Sequence, residues 1–139
     1  MWRTMIAGIA IAMVATACSG TSVFDLSVGD CFDDPSNFEE VSSVEVVECT
    51  EPHDNEVYAD LTVANASFPG IQAMQAEADE MCLVDFGTFV GTPWENSLLD
   101  YGWLHPTEDS WDDGDRIVTC FLYNADFQKL TRSMENSGV

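Results

Sequence analysis

Positive charge is nearly absent from this chain. Four lysines and arginines stand against 25 aspartates and glutamates, a formal net charge of −21 over 139 residues. With no basic stripe to neutralise phosphates, nucleic acid is excluded as a partner on electrostatic grounds. Histidine is almost as scarce, His53 and His105 being the two. The five cysteines include no C-x-x-C pair, which removes the usual spacing of a structural zinc site. No apolar run reaches the roughly 20 residues that a membrane-spanning helix needs. Disorder is excluded by the opposite sign of evidence: hydrophobic residues make up 46% of the chain, enough for a core. The length fits one domain.

What is present begins with Arg3, followed by an uncharged, mostly apolar run from Thr4 to Ala17. That run has the dimensions of a signal-peptide h-region. It ends Val14-Ala15-Thr16-Ala17-Cys18, which resembles a bacterial lipobox, where small residues precede a cysteine that becomes N-terminal and lipid-modified. Residues 1–17 are therefore expected to be a lipoprotein-type leader, with Cys18 lipidated and residues 18–24 forming the anchor and a short polar tether. The same residues also satisfy an ordinary A-x-A cleavage site, Ala15-Thr16-Ala17, which would leave a secreted protein with a free thiol. Lipidation is the reading taken, because an unpaired thiol is a liability in an exported chain. The expected location is the extracytoplasmic face of the cell membrane, held there by several acyl chains, since one chain alone is a marginal anchor.

With Cys18 assigned to lipid, Cys31, Cys49, Cys82 and Cys120 remain, an even number in an oxidising compartment. Three pairings exist. The sequential one, Cys31–Cys49 and Cys82–Cys120, is expected because each bridge then ties neighbouring elements together. Val41 to Cys49 reads as a strand that Pro52 breaks. Val57, Ala59, Leu61 and Val63 then alternate with Glu56, Tyr58, Asp60 and Thr62 at period two. Antiparallel pairing of these two runs across Glu51 to Asp54 is the simplest local topology. Ile71, Met74, Ala78, Cys82, Phe86 and Phe89 recur every three or four residues, an amphipathic helix that Gly91-Thr92-Pro93 stops. Leu98 to His105 reads as a strand, Pro106 to Asp115 as an acidic turn, and Arg116 to Tyr123, apolar on both faces, as a central strand. Beyond Leu130 the chain is expected to fray. The fold class is α+β, a small antiparallel sheet packed on one main helix and pinned by two disulfides. It spans residues 25–133, with a flexible tail at 134–139.

Two blocks carry a resemblance. The first is Val28-Gly29-Asp30-Cys31-Phe32 followed by Val47-Glu48-Cys49-Thr50-Glu51-Pro52-His53-Asp54 and Glu56-Val57-Tyr58. The second is Pro106-Thr107 leading to Trp111, Gly114-Asp115-Arg116, Val118 and Cys120, with Phe68-Pro69-Gly70, Cys82 and Phe86 between the blocks. Together, over roughly residues 25 to 133, they are similar to the actinobacterial septum-formation-related domain family. The chain departs from the family's usual Leu-Thr-Gly-Ser ending with Arg132 at the glycine place. The resemblance implies an extracytoplasmic, disulfide-pinned α+β domain on a lipoprotein or membrane protein, linked to the division septum, and it implies no particular reaction.

Several residues invite chemistry. Histidine in general titrates near neutrality, and an adjoining acid such as Asp54 makes His53 a candidate general base for a small envelope hydrolase. Adjacent residues on an extended turn point apart, however, and no nucleophile stands ready, so the pair reads first as turn structure, with Arg116 or Glu56 as bonding partners. His53 with His105 and a carboxylate would suit a metal if the strands converged. Asp112, Asp113 and Asp115 around Gly114 suggest a cation, but the order lacks an EF-hand's alternation and final glutamate. A turn with Gly114 at positive φ is the expectation. Arg116 is expected to pair with Asp54 or Asp115. Trp94, Tyr101, Trp103 and Trp111 concentrate aromatic surface in one segment, with Trp103 and Trp111 marking a binding face for a protein or glycan. The function expected is that of a lipid-anchored binding module of the cell envelope, its partner a division or cell-wall protein or a glycan. No cofactor or metal is called for, and no catalytic residue is assigned.

Overall fold

In the computed structural model, which describes residues 20–37 and 41–139, six strands form one antiparallel sheet. They are β1 (Thr21–Ser22), β2 (Cys31–Asp33), β3 (Ser43–Val47), β4 (Asn55–Thr62), β5 (Leu99–Leu104) and β6 (Ile117–Asn124), in the spatial order β1-β3-β2-β4-β6-β5. One long helix, α1 (Ile71–Val90), packs across one face, and a short one, α2 (Glu108–Asp112), precedes β6. The architecture is the expected α+β sheet on a main helix. The leader expected at residues 1–17 and the lipidation site expected at Cys18 lie outside the described residues.

The helix buries Met74, Ala78, Cys82, Phe86 and Val90, a stripe spaced by four that follows from the 3.6-residue turn. Ile71, expected on that stripe, is exposed in the first turn. Gly91 takes the left-handed conformation (φ 86°) that ends the helix, its N–H donating to the Gly87 carbonyl. Opposite the stripe stand Val118, Cys120 and Leu122 of β6, all buried. β6 lies inside the sheet between β4 and β5, which accounts for its apolar character on both faces. A second, smaller core covers the other face, where Leu26, Phe32, Val44 and Val57 meet Val41, Leu104 and Phe121. Both disulfides form as expected, Cys31–Cys49 beside β2 and Cys82–Cys120 between α1 and β6.

Four local expectations are corrected. β3 and β4 do not pair across Glu51–Asp54, because β2 lies between them, with Cys31 opposite Val47 on one side and Glu56 on the other. The backbone of His53 is not free to close a hairpin either, since it exchanges hydrogen bonds with Leu130 (2.9 and 2.8 Å). Within β4 the register slips between Val57 and Ala59, a bulge that adds Tyr58 as an extra residue. Val57 therefore joins the smaller core, and Tyr58 turns towards the helix, donating to the Cys82 carbonyl at 2.7 Å. The acidic turn contains α2, because Thr107 and Ser110 cap each other's backbone N–H groups.

The fourth correction is the tail. Residues 134–139 are bound to the core: Met134 is buried, and the N–H groups of Asn136 and Gly138 donate to the carbonyls of Phe89 and Val90 (both 2.8 Å). Those are two of the carbonyls that a helix end leaves without an internal partner. The polar residues that suggested fraying serve as the C-terminal cap of α1.

The two disulfides differ in access. Cys82 and Cys120 are fully buried, whereas Cys49 is half-exposed. Titration with a mild reductant, followed by alkylation and peptide mass mapping, is expected to open Cys31–Cys49 first. Loops of 18 and 38 residues correspond to stabilisations of roughly 3 and 4 kcal/mol in the chain-entropy account, so the Cys82→Ala/Cys120→Ala pair is expected to cost the more in denaturant unfolding.

Candidate functional site

The block Pro52-His53-Asp54-Asn55-Glu56 enters β4, and its three ionisable side chains leave in three directions. His53 is 0% exposed. Its Nδ1 donates to the Glu51 carbonyl at 2.8 Å, and Nε2 is buried without a hydrogen-bond partner among the described residues. A general base must reach substrate, and this imidazole is enclosed by protein. Asp54 points the other way, as alternation along an extended chain requires. Its Oδ2 accepts from the Asp34 N–H and from Lys129 Nζ, both at 2.9 Å, and Lys129 also reaches Asp33 Oδ1 at 2.7 Å. Burial works to raise the Asp54 pKa, but the Asp34 N–H and the hydrogen bond and charge of Lys129 outweigh it and hold the carboxyl below its ordinary value. Glu56 is fully buried, and its carboxylate accepts from Ser133 Oγ (2.5 Å) and the Met134 N–H (2.6 Å).

The three residues thus share one task. His53 holds Leu130, Asp54 holds Lys129 and Glu56 holds Ser133 and Met134. The block is a clasp on the C-terminal segment.

Beside the clasp, on the face of the sheet away from α1, lies a groove of about 230 Å³. Asn55 forms part of its floor, held by donation from Nδ2 to Asp34 Oδ1 (2.8 Å). Phe121 and Tyr123 of β6 supply aromatic walls, Asp34 and Asp54 a carboxylate rim, and Phe127 the outer lip. The Phe127 and Tyr123 rings stack, with centroids 5.7 Å apart and planes within 15°. Gly102 on β5 stands opposite Phe121, whose Cζ would lie 2.7 Å from a Cβ there, so glycine lets that ring lie across the strand. Phe127 is costly as placed. It is 81% exposed, and its φ of 56° puts a bulky residue in the left-handed region, a strain of roughly 1–3 kcal/mol. Its N–H donates to the Asn124 carbonyl, while Asn124 Oδ1 accepts from Asp126 N–H (both 2.8 Å), and this turn imposes the conformation.

Asp54 is the one sequence-nominated binding residue that lines the groove. Arg116 pairs with neither Asp54 nor the Asp115 carboxylate. Its Nη1 donates to the carbonyls of Trp111 and Asp115 (2.7 Å each), and the guanidinium sits 3.7 Å from the centroid of the Trp111 ring. Trp111 is 5% exposed and packs on Phe68, so Trp103 and Trp111 do not share an open face. Trp103 is half-buried beside Tyr101. His105 follows the end of β5 paired with Thr119, whereas His53 adjoins the end of β4 paired with Tyr123. Those pairings set them apart by roughly 13 Å of strand or more, which rules out a two-histidine metal site. Gly114 has the expected positive φ (101°), and the Asp115 carboxylate is used locally by Ser110 Oγ and the Ile117 N–H. Among the described residues, the group of ligand-type side chains close enough for a metal is Cys31, Cys49 and Glu56, and its two sulfurs are joined in a disulfide.

Sequence reading missed Asp34, Asn55, Phe121, Tyr123, Asn124, Phe127 and Gln128 as groove residues. The turn-forming Asn124 was the available signal, but nothing in the sequence marks Phe127 as exposed.

The fold and its clasp define a small, disulfide-pinned α+β domain with a side groove. A model of the septum-formation family matches residues 28–138, and the chain belongs to that family. No curated protein and no solved structure matches it.

The Asp54 shift carries a pH dependence. A carboxyl whose pKa is lower folded than unfolded adds stability above its ordinary value of about 3.9, and that stability is lost as pH falls through the folded value. Replacing Lys129 with Met is expected to lower the melting temperature at about pH 7 and to lose that effect as pH falls through the lowered Asp54 value. Carboxyl NMR titration is expected to show the Asp54 midpoint rising in Lys129→Met.

Proposed function

We propose that this protein is a lipid-anchored, extracytoplasmic binding module of the bacterial cell envelope, acting in septum formation or the wall assembly that accompanies it. The observation that carries the binding role is the groove with its exposed, strained Phe127. An aromatic held open at a conformational cost, beside fixed carboxylates, gains nothing for folding and suits recognition. Family membership supports the link to the septum. The two disulfides and the leader pattern of Arg3 to Cys18 support an exported location. The enclosure of His53 favours binding over hydrolysis.

The anchor and the site of action are tested together. Metabolic labelling with a palmitate analogue is expected to mark the wild-type chain and to be lost in Cys18→Ser, which also leaves the membrane fraction. A C-terminal fluorescent fusion that folds outside the cytoplasm is expected to concentrate at division sites. An unlabelled chain, or an even distribution around dividing cells, would contradict the proposal.

A further inference from the structure

We propose that the groove receives one lysine or arginine side chain from a basic segment of a protein partner, its cationic head against the Tyr123 and Phe127 rings and facing Asp34 and Asp54. This inference rests on the binding-module reading and names its ligand.

Size is the first argument. At about 230 Å³ the groove is smaller than the roughly 300–1,000 Å³ typical of sites that take drug-sized ligands. It suits a single side chain better than an extended ligand.

Charge is the second. Aromatic faces carry the negative end of the ring quadrupole, and carboxylates carry full charge, so both kinds of wall attract a cation. The carboxylates are neutralised only in part from within. Lys129 is divided between Asp33 and Asp54, and Asp34 receives the neutral Asn55 amide with no cationic partner among the described residues. Burial, then the charge and hydrogen bond of Asp100, and last the charge of Asp34 push the pKa of the Tyr123 hydroxyl up. At longer range a net charge of −21 steers a basic partner inward and turns an acidic one away.

Specificity is the third. Asn124 and Gln128 place amides beside the rings, as a neutral sugar would also use. A neutral sugar, however, draws no benefit from two carboxylates only partly compensated, whereas guanidinium and ammonium groups bond to them directly.

The test uses the full mature chain in detergent, with amide NMR at Asn55, Asn124 and Gln128 as the readout. Three probes are compared: a Gly-Arg repeat peptide, the same peptide with citrulline for arginine, and a chitin oligosaccharide. The arginine peptide is expected to give saturable shifts that weaken with added salt, and the other two to give none. Phe127→Ala is expected to weaken binding about two- to thirty-fold, the range of a single cation–π contact. Asp34→Asn is expected to weaken it as well, and both variants are expected to keep the native disulfide map and melting cooperativity, which separates lost contact from lost fold. Equal shifts from the citrulline peptide or the oligosaccharide, or no groove shifts from the arginine peptide, would overturn the inference. A photo-crosslinker at Gln128 tells which reading has failed. An envelope adduct without arginine binding retains the binding module and removes the cation; absence of both removes the module as well.

Discussion

The structure depends on a clasp between one short block and the end of the chain. His53, Asp54 and Glu56 each hold a different point of the segment 129–134, by a backbone bridge, an ion pair and a buried carboxylate respectively. The backbone bridge and the Glu56 bonds carry most of the weight, because they are buried and exchange poorly with water. The Lys129 ammonium is half-exposed, and an ion pair of that kind adds little stability by itself. Its contribution is positional. It fixes the chain two residues beyond Phe127, so the lip of the groove is set by the same contacts that fasten the tail. Past Met134 the chain continues onto the end of α1 and completes its hydrogen bonding. One clasp therefore connects the start of β4, the helix end and the groove.

Much of this fold was legible before any coordinates, for reasons that are physical. The helix stripe and the strand at 117–124 announce themselves because burial imposes a period, and the disulfides were expected from the even number of cysteines left once Cys18 is set aside. What stayed hidden was non-local. The bulge at Tyr58 breaks an alternation that looks perfect in sequence, since its cause is the register against β6. β2 is three residues long, too short to register as a strand, yet it separates β3 from β4. The tail looked frayed because its residues are polar, and its binding partners are the carbonyls of a helix some fifty residues upstream, which carry no sequence signature.

The site was legible in part for the same reason. The Pro-His-Asp-x-Glu block stood out, and its role as turn structure followed from the geometry of adjacent residues. That its partners lie near residue 130 did not. Arg116 drew attention through scarcity, but backbone carbonyls and the Trp111 ring satisfy it where a carboxylate was expected. Trp111 proved to be core, while Phe127, an unremarked residue in a polar stretch, is 81% exposed. In a chain so short of positive charge, fixed carboxylates beside open rings are the feature that a binding partner of the septum-formation domain would meet.

The measurement that tests the clasp most directly is residue-resolved hydrogen exchange on the wild-type chain. The amides of Leu130 and Met134 are expected to exchange only with global unfolding, at the same free energy as the β6 core around Cys120. Exchange of Leu130 and Met134 at the rate of an open chain end, with β6 still protected, would contradict the account and leave the groove without a fixed lip.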